Sequence, residues 1–118
     1  MKYLFILNDP PYGTERSYNA LRLARELLKD PAQGTEVKVF LIGDAAGGAK
    51  TGQKVPQGYY SIEALLQGVS ARGGAIGVCG TCMDARGLGD ADLAKGSARS
   101  SMAELAAWAG WADRVLVF

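Results

Sequence analysis

Short apolar runs alternate along this chain with segments of helical periodicity, and no other feature limits its possible folds as strongly. The runs contain many β-branched and aromatic residues, as expected of strands buried in a sheet, and cover residues 2–7, 36–42, 75–78 and 114–118. Amphipathic patterns separate them, the first over residues 14–29. The alternation predicts an α/β fold: a mostly parallel sheet of about five strands with helices on both faces, layered as in flavodoxin.

Turn and capping residues predict where several of these elements begin and end. Asp30-Pro31 ends the first helix, because the residue before proline disfavours the helical region. Ser61 is placed to cap a second helix. Its apolar stripe has the i, i+3, i+4, i+7 spacing, with Ile62, Leu65, Leu66 and Val69. Gly87 is predicted to close a short helix over residues 81–86.

Four other segments have sequence patterns that predict their structure less clearly. Residues 44–58 hold four glycines and are interpreted as a long flexible loop. A marginal strand or loop is expected within residues 89–96. The capping box at Ser101 and Glu104 predicts a further helix. Its expected buried face consists of Met102, Leu105, Ala106 and Ala109. The last apolar run predicts a final strand buried in the sheet.

Length and charge exclude several classes of protein. With 118 residues the chain is expected to form one domain over residues 1–118. The 13 basic and 12 acidic residues are interspersed, so no direct nucleic-acid binding is expected. No apolar run approaches the roughly 18 residues of a membrane span. The first strand is too short for a signal peptide, which predicts a cytoplasmic protein with reduced thiols.

The chain contains two cysteines, Cys79 and Cys82, and no histidine. A Cys-His dyad or a Ser-His-Asp triad therefore cannot form within it. A structural zinc site needs four ligands, so no metal is predicted. Residues 43–51 resemble a phosphate-binding loop, but Ala49 stands where that motif requires glycine before the lysine. No cofactor is predicted either.

Cys79 is predicted to lie where the third strand ends and a helix begins. The backbone N–H groups of Gly80, Thr81 and Cys82 would then point toward its sulfur and favour the thiolate. The spacing C-x-x-C at the start of a helix is also the signature of a thioredoxin-like dithiol. Alternatively, both cysteines are small buried hydrophobic residues.

In parallel sheets, ligands bind beyond the carboxyl ends of the strands. The loops after the first and second strands should meet the cysteine turn at that edge. The catalytic candidates are Cys79 and Cys82, and the predicted substrate-binding residues are Asn8, Tyr12, Gly43, Gly80, Thr81 and Arg86.

Several motifs occur together across nearly the whole chain. They are Asn8-Asp9-Pro10 followed by Tyr-Gly-Thr, Gly43-Asp44, a cysteine eight residues before Gly87 of an Arg-Gly pair, and the closing residues 112–118. In this combination the chain resembles the DsrE/DsrF-like family.

The resemblance implies a compact α/β fold that assembles into homotrimers or homohexamers. It also implies that Cys79 carries sulfur as a persulfide, exchanged with donor and acceptor proteins or small sulfur compounds. Cys82 departs from the relay pattern, and a second thiol there would resolve a persulfide. The predicted function is intracellular sulfur transfer. The alternatives are a dithiol redox protein and a non-catalytic oligomer that binds a small ligand.

Overall fold

The structure is a computed structural model that describes residues 1–118, and it contains one five-stranded sheet. The strands are β1 (Lys2–Leu7), β2 (Glu36–Leu41), β3 (Ala75–Cys79), β4 (Ser97–Ser100) and β5 (Arg114–Val117). The α-helices are α1 (Arg16–Leu27), α2 (Ile62–Ala71), α3 (Gly80–Ala85) and α4 (Met102–Trp111). Every strand pair is parallel, in the order β4-β3-β2-β1-β5. The predicted α/β fold is therefore confirmed.

The two faces of the sheet pack against different helices. Helices α1, α2 and α3 contribute to the larger core, in which Phe5, Val39 and Leu66 are fully buried. The smaller core holds Leu4, Phe40 and Cys79, against which α4 packs. This confirms the prediction of helices on both faces. None of the helices has the length and apolar character needed to span a membrane.

Helix α2 forms as its sequence predicts. The Ser61 hydroxyl accepts a hydrogen bond from the Ala64 N–H at 3.2 Å, which satisfies one of the free donors of the first turn. The predicted stripe is buried in full, with Ile62, Leu65, Leu66 and Val69. The residues that the helical spacing predicts to be buried are those that pack in the core, so the sequence predicts this helix correctly.

The interpretation of residues 44–58 as a flexible loop is wrong for their first part. Gly43–Ala49 is a 3₁₀ helix in which Ala45, Ala46 and Ala49 are buried. A Cβ atom on Gly48 would lie 3.4 Å from the Ile62 side chain, so small residues let this segment pack closely against α2. The glycines and alanines here reflect close packing rather than mobility.

The fourth strand does not lie within residues 89–96, which instead contain the 3₁₀ turn Asp90–Asp92. Strand β4 follows at Ser97–Ser100 and pairs only with β3, at the edge of the sheet. Its sequence, Ser-Ala-Arg-Ser, has no apolar alternation. Backbone pairing at an edge needs no buried side chains, so this strand gave no hydrophobic signal.

The predicted buried face of α4 is wrong. Met102 is 62% exposed, Ala106 and Ala109 are exposed, and the helix has no buried residue. Leu105 and Trp108 are the residues that pack on the sheet. A Cβ atom on Gly77 would lie 3.0 Å from the Trp108 ring, so the missing side chain lets the indole approach β3. Strand β5 is paired, but Val117 is 65% exposed, so the final strand is not buried as predicted.

Candidate functional site

The site is built at the junction of β3 and α3. Cys79 is the last residue of β3 and the N-cap of α3, and its sulfur accepts a hydrogen bond from the Cys82 N–H at 3.4 Å. Its side chain is on the α4 face of the sheet, packed with Leu4 and Phe40. The strand thus fixes where the sulfur lies, and the first turn of the helix supplies a donor to it.

Gly80 is required for backbone packing beside this sulfur. A Cβ atom at this position would lie 2.9 Å from Arg99 Nε and 3.0 Å from the Ser100 carbonyl oxygen. The missing side chain at Gly80 therefore lets β4 approach closely.

The two thiols face one another across one helical turn. Their Sγ atoms are 2.6 Å apart, with Cys82 donating to Cys79. Thr81 Oγ1 lies 3.3 Å from Cys79 Sγ, and the Gly43 N–H donates to Cys82 Sγ at 3.2 Å. Both cysteines are free thiols, Cys79 being 6% exposed and Cys82 more accessible. The pair is close enough to exchange a proton or to join through sulfur.

The environment divides the two thiols into a stronger and a weaker acid. Burial raises the pKa of Cys79, but the hydrogen bonds that its sulfur receives from Cys82 and Thr81 outweigh burial and lower the pKa overall. Burial and the hydrogen bond donated to Cys79 raise the pKa of Cys82, against the opposing effect of the Gly43 N–H. Cys79 is therefore the more acidic thiol of the pair, and Cys82 the less acidic one.

Arg86 ties α3 to the segment after β2. Its guanidinium donates to Asp44 Oδ1 at 2.6 Å and to the Cys82 carbonyl oxygen at 3.0 Å. It makes no hydrogen bond to either sulfur, although its charge favours the Cys82 thiolate. Arg86 thus holds the thiol-bearing turn in place through Asp44.

The structure brings some of the predicted residues together and separates others. Gly43, Gly80, Thr81 and Arg86 surround the thiol pair, as the contacts above describe. Asn8 instead donates from its N–H and its Nδ2 to the Phe118 carbonyl oxygen, at 2.9 Å and 3.3 Å.

Tyr12 belongs to a separate aromatic group. Its hydroxyl accepts from the Ile62 N–H at 3.1 Å, and its ring lies 5.6 Å from that of Tyr60. Neither Asn8 nor Tyr12 makes a hydrogen bond to a thiol. The predicted binding residues at the carboxyl edge of the sheet therefore do not form a single site.

Sequence reasoning missed Arg99. This side chain lies against the Gly80 position and donates to Asp84 Oδ2 at 2.8 Å, which lowers the pKa of Asp84. Arg99 lies in β4, whose position the sequence did not indicate. No local pattern could have placed this side chain beside α3. No group of three or more His, Cys, Asp or Glu side chains is arranged to hold a metal ion.

Comparisons with known proteins agree on one family. The model of the DsrE/DsrF-like family matches residues 1–118. Protein YchN of Escherichia coli (strain K12) is 35% identical over 99% of this chain and 98% of its own. An uncharacterized protein of Methanocaldococcus jannaschii is 36% identical over the full length of both chains. The crystal structure of the E. coli ychN protein superposes with a TM-score of 0.92, covering 100% of this chain and 99% of that one.

Proposed function

We propose that this chain, which belongs to the DsrE/DsrF-like family, transfers sulfane sulfur as a persulfide on Cys79. The observation that carries the proposal is the position of the Cys79 sulfur at the N-cap of α3, where the N–H and the thiol of Cys82 donate to it and lower its pKa. A thiolate is the form of cysteine that attacks sulfur. Family membership supports sulfur relay as the setting for that chemistry.

The proposed loading step is an attack by Cys79 on the outer sulfur of a donor persulfide or polysulfide. A bond forms between Cys79 Sγ and that sulfur, and the donor S–S bond breaks. A persulfide donor leaves as a thiolate and a polysulfide donor as an anion one sulfur shorter, and Cys79 becomes a persulfide. An acceptor thiolate then attacks the outer sulfur and releases Cys79 again as a thiolate, so no net oxidant is needed. The partners are therefore sulfur donors and acceptors, either proteins or small sulfur compounds.

Cys82 allows a second reaction of the Cys79 persulfide. The Cys82 thiol gives its proton to the outer sulfur of the Cys79 persulfide and its sulfur attacks the inner one. A Cys79–Cys82 disulfide forms, the persulfide S–S bond breaks, and the outer sulfur leaves as hydrosulfide. The disulfide returns to two thiols when an external thiol reduces it. The Sγ separation of 2.6 Å favours this dithiol redox function as the second candidate. The proposal places the protein in the cytoplasm, where thiols are kept reduced.

Intact-mass spectrometry after brief incubation of the reduced protein with polysulfide tests the proposal. Persulfide carriage predicts a mass increase of about 32 Da, one sulfur atom, that a thiol acceptor removes. Resolution by Cys82 predicts a later loss of about 2 Da relative to the reduced protein. An unchanged mass, from a protein whose thiols still react with iodoacetamide, would contradict both candidates.

We also propose that a second copy of the chain covers α4, within the trimer or hexamer that the family resemblance implies. Met102 and four alanines of α4 are exposed, its two tryptophans and Leu105 are only half-buried, and Val115 and Val117 of β5 are also exposed. Apolar patches of this kind mark association surfaces. Light scattering coupled to size exclusion should give a mass of three or six chains. Met102→Glu should shift it toward the monomer, whereas a wild-type mass of 12.4 kDa would contradict the assembly.

A further inference from the structure

A basic cluster, defined here as Arg22, Arg25, Lys29 and Arg72, lies in the carboxyl-terminal half of α1 and just after the ends of α1 and α2. These four side chains and Glu26 line an open depression of about 350 Å³. The cluster holds four of the 13 basic residues of a chain whose charges are otherwise nearly balanced. It is therefore a local concentration of positive charge on an almost neutral protein.

The basic cluster lies far from the thiols by topology. In a parallel sheet the connecting helices run back against the strands, so their carboxyl ends lie at the amino-terminal edge of the sheet. Cys79 is at the opposite, carboxyl edge, where β3 ends. A ligand in the basic cluster would thus occupy a site separate from the sulfur chemistry.

The side chain of Arg25 packs against α2. Its Nε is buried and has no hydrogen-bond partner. A Cβ atom on Gly68 would lie 3.0 Å from this Nε, so the glycine makes room for the guanidinium to lie across α2. Arg72 Nη1 donates to the Arg25 carbonyl oxygen at 2.9 Å, which links the two helix ends. The buried Nε thus fixes the side chain against α2, and Arg25 lines the depression beside Arg22 and Arg72.

The arginines of the basic cluster lack carboxylate partners. Glu26, the single acid in the depression, pairs with Lys29 at 3.4 Å. Arg22 donates to Asn19 Oδ1 at 3.1 Å and lies over the Tyr18 ring. Cations near helix carboxyl ends stabilise the helix dipole, which accounts for the hydrogen bond of Arg72 to a carbonyl group. It does not account for three guanidinium groups without a carboxylate partner around one depression.

We propose that the basic cluster binds a diphosphate group, as inorganic pyrophosphate or as part of a nucleotide. Guanidinium groups bind phosphate oxygens through paired N–H donors, and several arginines around one depression suit an anion of more than one charge. The proposal does not depend on the sulfur chemistry.

Isothermal titration calorimetry of the full-length protein with sodium pyrophosphate, at low ionic strength, measures the affinity that tests the proposal. The double variant Arg22→Gln/Lys29→Gln removes two exposed cations of the cluster and should weaken binding by about tenfold or more. The control Lys95→Gln/Arg114→Gln removes the same charge from exposed residues elsewhere and should retain the wild-type affinity. No binding by the wild type, or equal weakening in both double variants, would overturn the proposal.

Three further titrations test which residues bind the anion and which form of diphosphate is preferred. Arg25→Gln should also weaken pyrophosphate binding, with circular dichroism confirming that the variant is folded. Cys79→Ser should bind as the wild type does, which keeps this result independent of the proposed sulfur transfer. Titration with ADP distinguishes the source of the diphosphate: tighter binding than pyrophosphate indicates a nucleotide, and equal binding indicates the inorganic ion. Loss of binding in Cys79→Ser but not in Arg25→Gln would place the anion at the thiols and contradict the proposal.

Discussion

Cys79→Ser is expected to abolish loading of sulfane sulfur, whereas Cys82→Ser is expected to retain the persulfide and prolong its lifetime. Only Cys79 has both a lowered pKa and sulfur-directed donors from Thr81 and Cys82. A serine hydroxyl is not ionised at neutral pH and cannot replace the thiolate. Removal of Cys82 takes away the thiol that would release sulfide, so the adduct of about 32 Da should persist.

Time-resolved intact-mass spectra of both variants, mixed with polysulfide under identical conditions, measure this difference. Thr81→Val serves as a graded variant, because it removes one hydrogen bond to Cys79 Sγ and leaves the sulfur in place. It should load more slowly than wild type without losing the adduct. Equal loading of Cys79→Ser and wild type would refute the assignment of Cys79 as the acceptor of sulfur.

Phe5→Ala is expected to reduce the free energy of unfolding by about 3–5 kcal/mol, the range for removing a buried aromatic side chain. Phe5 is fully buried in β1, which pairs with both β2 and β5. Its ring also stacks on Phe118 at 5.9 Å. Small domains have only about 5–15 kcal/mol of stability in total, so this variant should lie near the limit of folding.

Urea unfolding at one fixed protein concentration provides the measurement, since association would otherwise contribute to the apparent stability. Phe5→Leu is the matched control, because it keeps most of the apolar volume and should cost about 1–2 kcal/mol. A loss below about 1 kcal/mol for Phe5→Ala would mean that β1 is not at the centre of the core.

The elements that sequence reasoning predicted well are those in which the local pattern determines burial. Helix α2 buries the residues that its periodicity marks, and strand β1 forms where the first apolar run predicts a strand. Strand β4 could not be predicted in the same way, because its polar sequence is stabilised by backbone pairing with β3. The buried segment Gly43–Ala49 was misinterpreted because small residues serve both mobile loops and close packing.

The candidate site also combines features that the sequence predicts with contacts that it does not. The position of Cys79 followed from the order of the elements, since a residue at the end of a parallel strand must lie at the carboxyl edge. The Gly43 N–H on Cys82 Sγ and the Arg99 side chain at Gly80 join parts of the chain far apart in sequence. Such contacts depend on how strands and loops approach one another in space, and local patterns carry no information about them.

The exposed apolar surface of α4 has a thermal consequence. Covering it with a second copy removes hydrocarbon from water, and this gives association a negative heat-capacity change. The hydrophobic contribution to association weakens on cooling. An assembly held through α4 would therefore loosen in the cold, while the larger core beneath α1 and α2 remains folded.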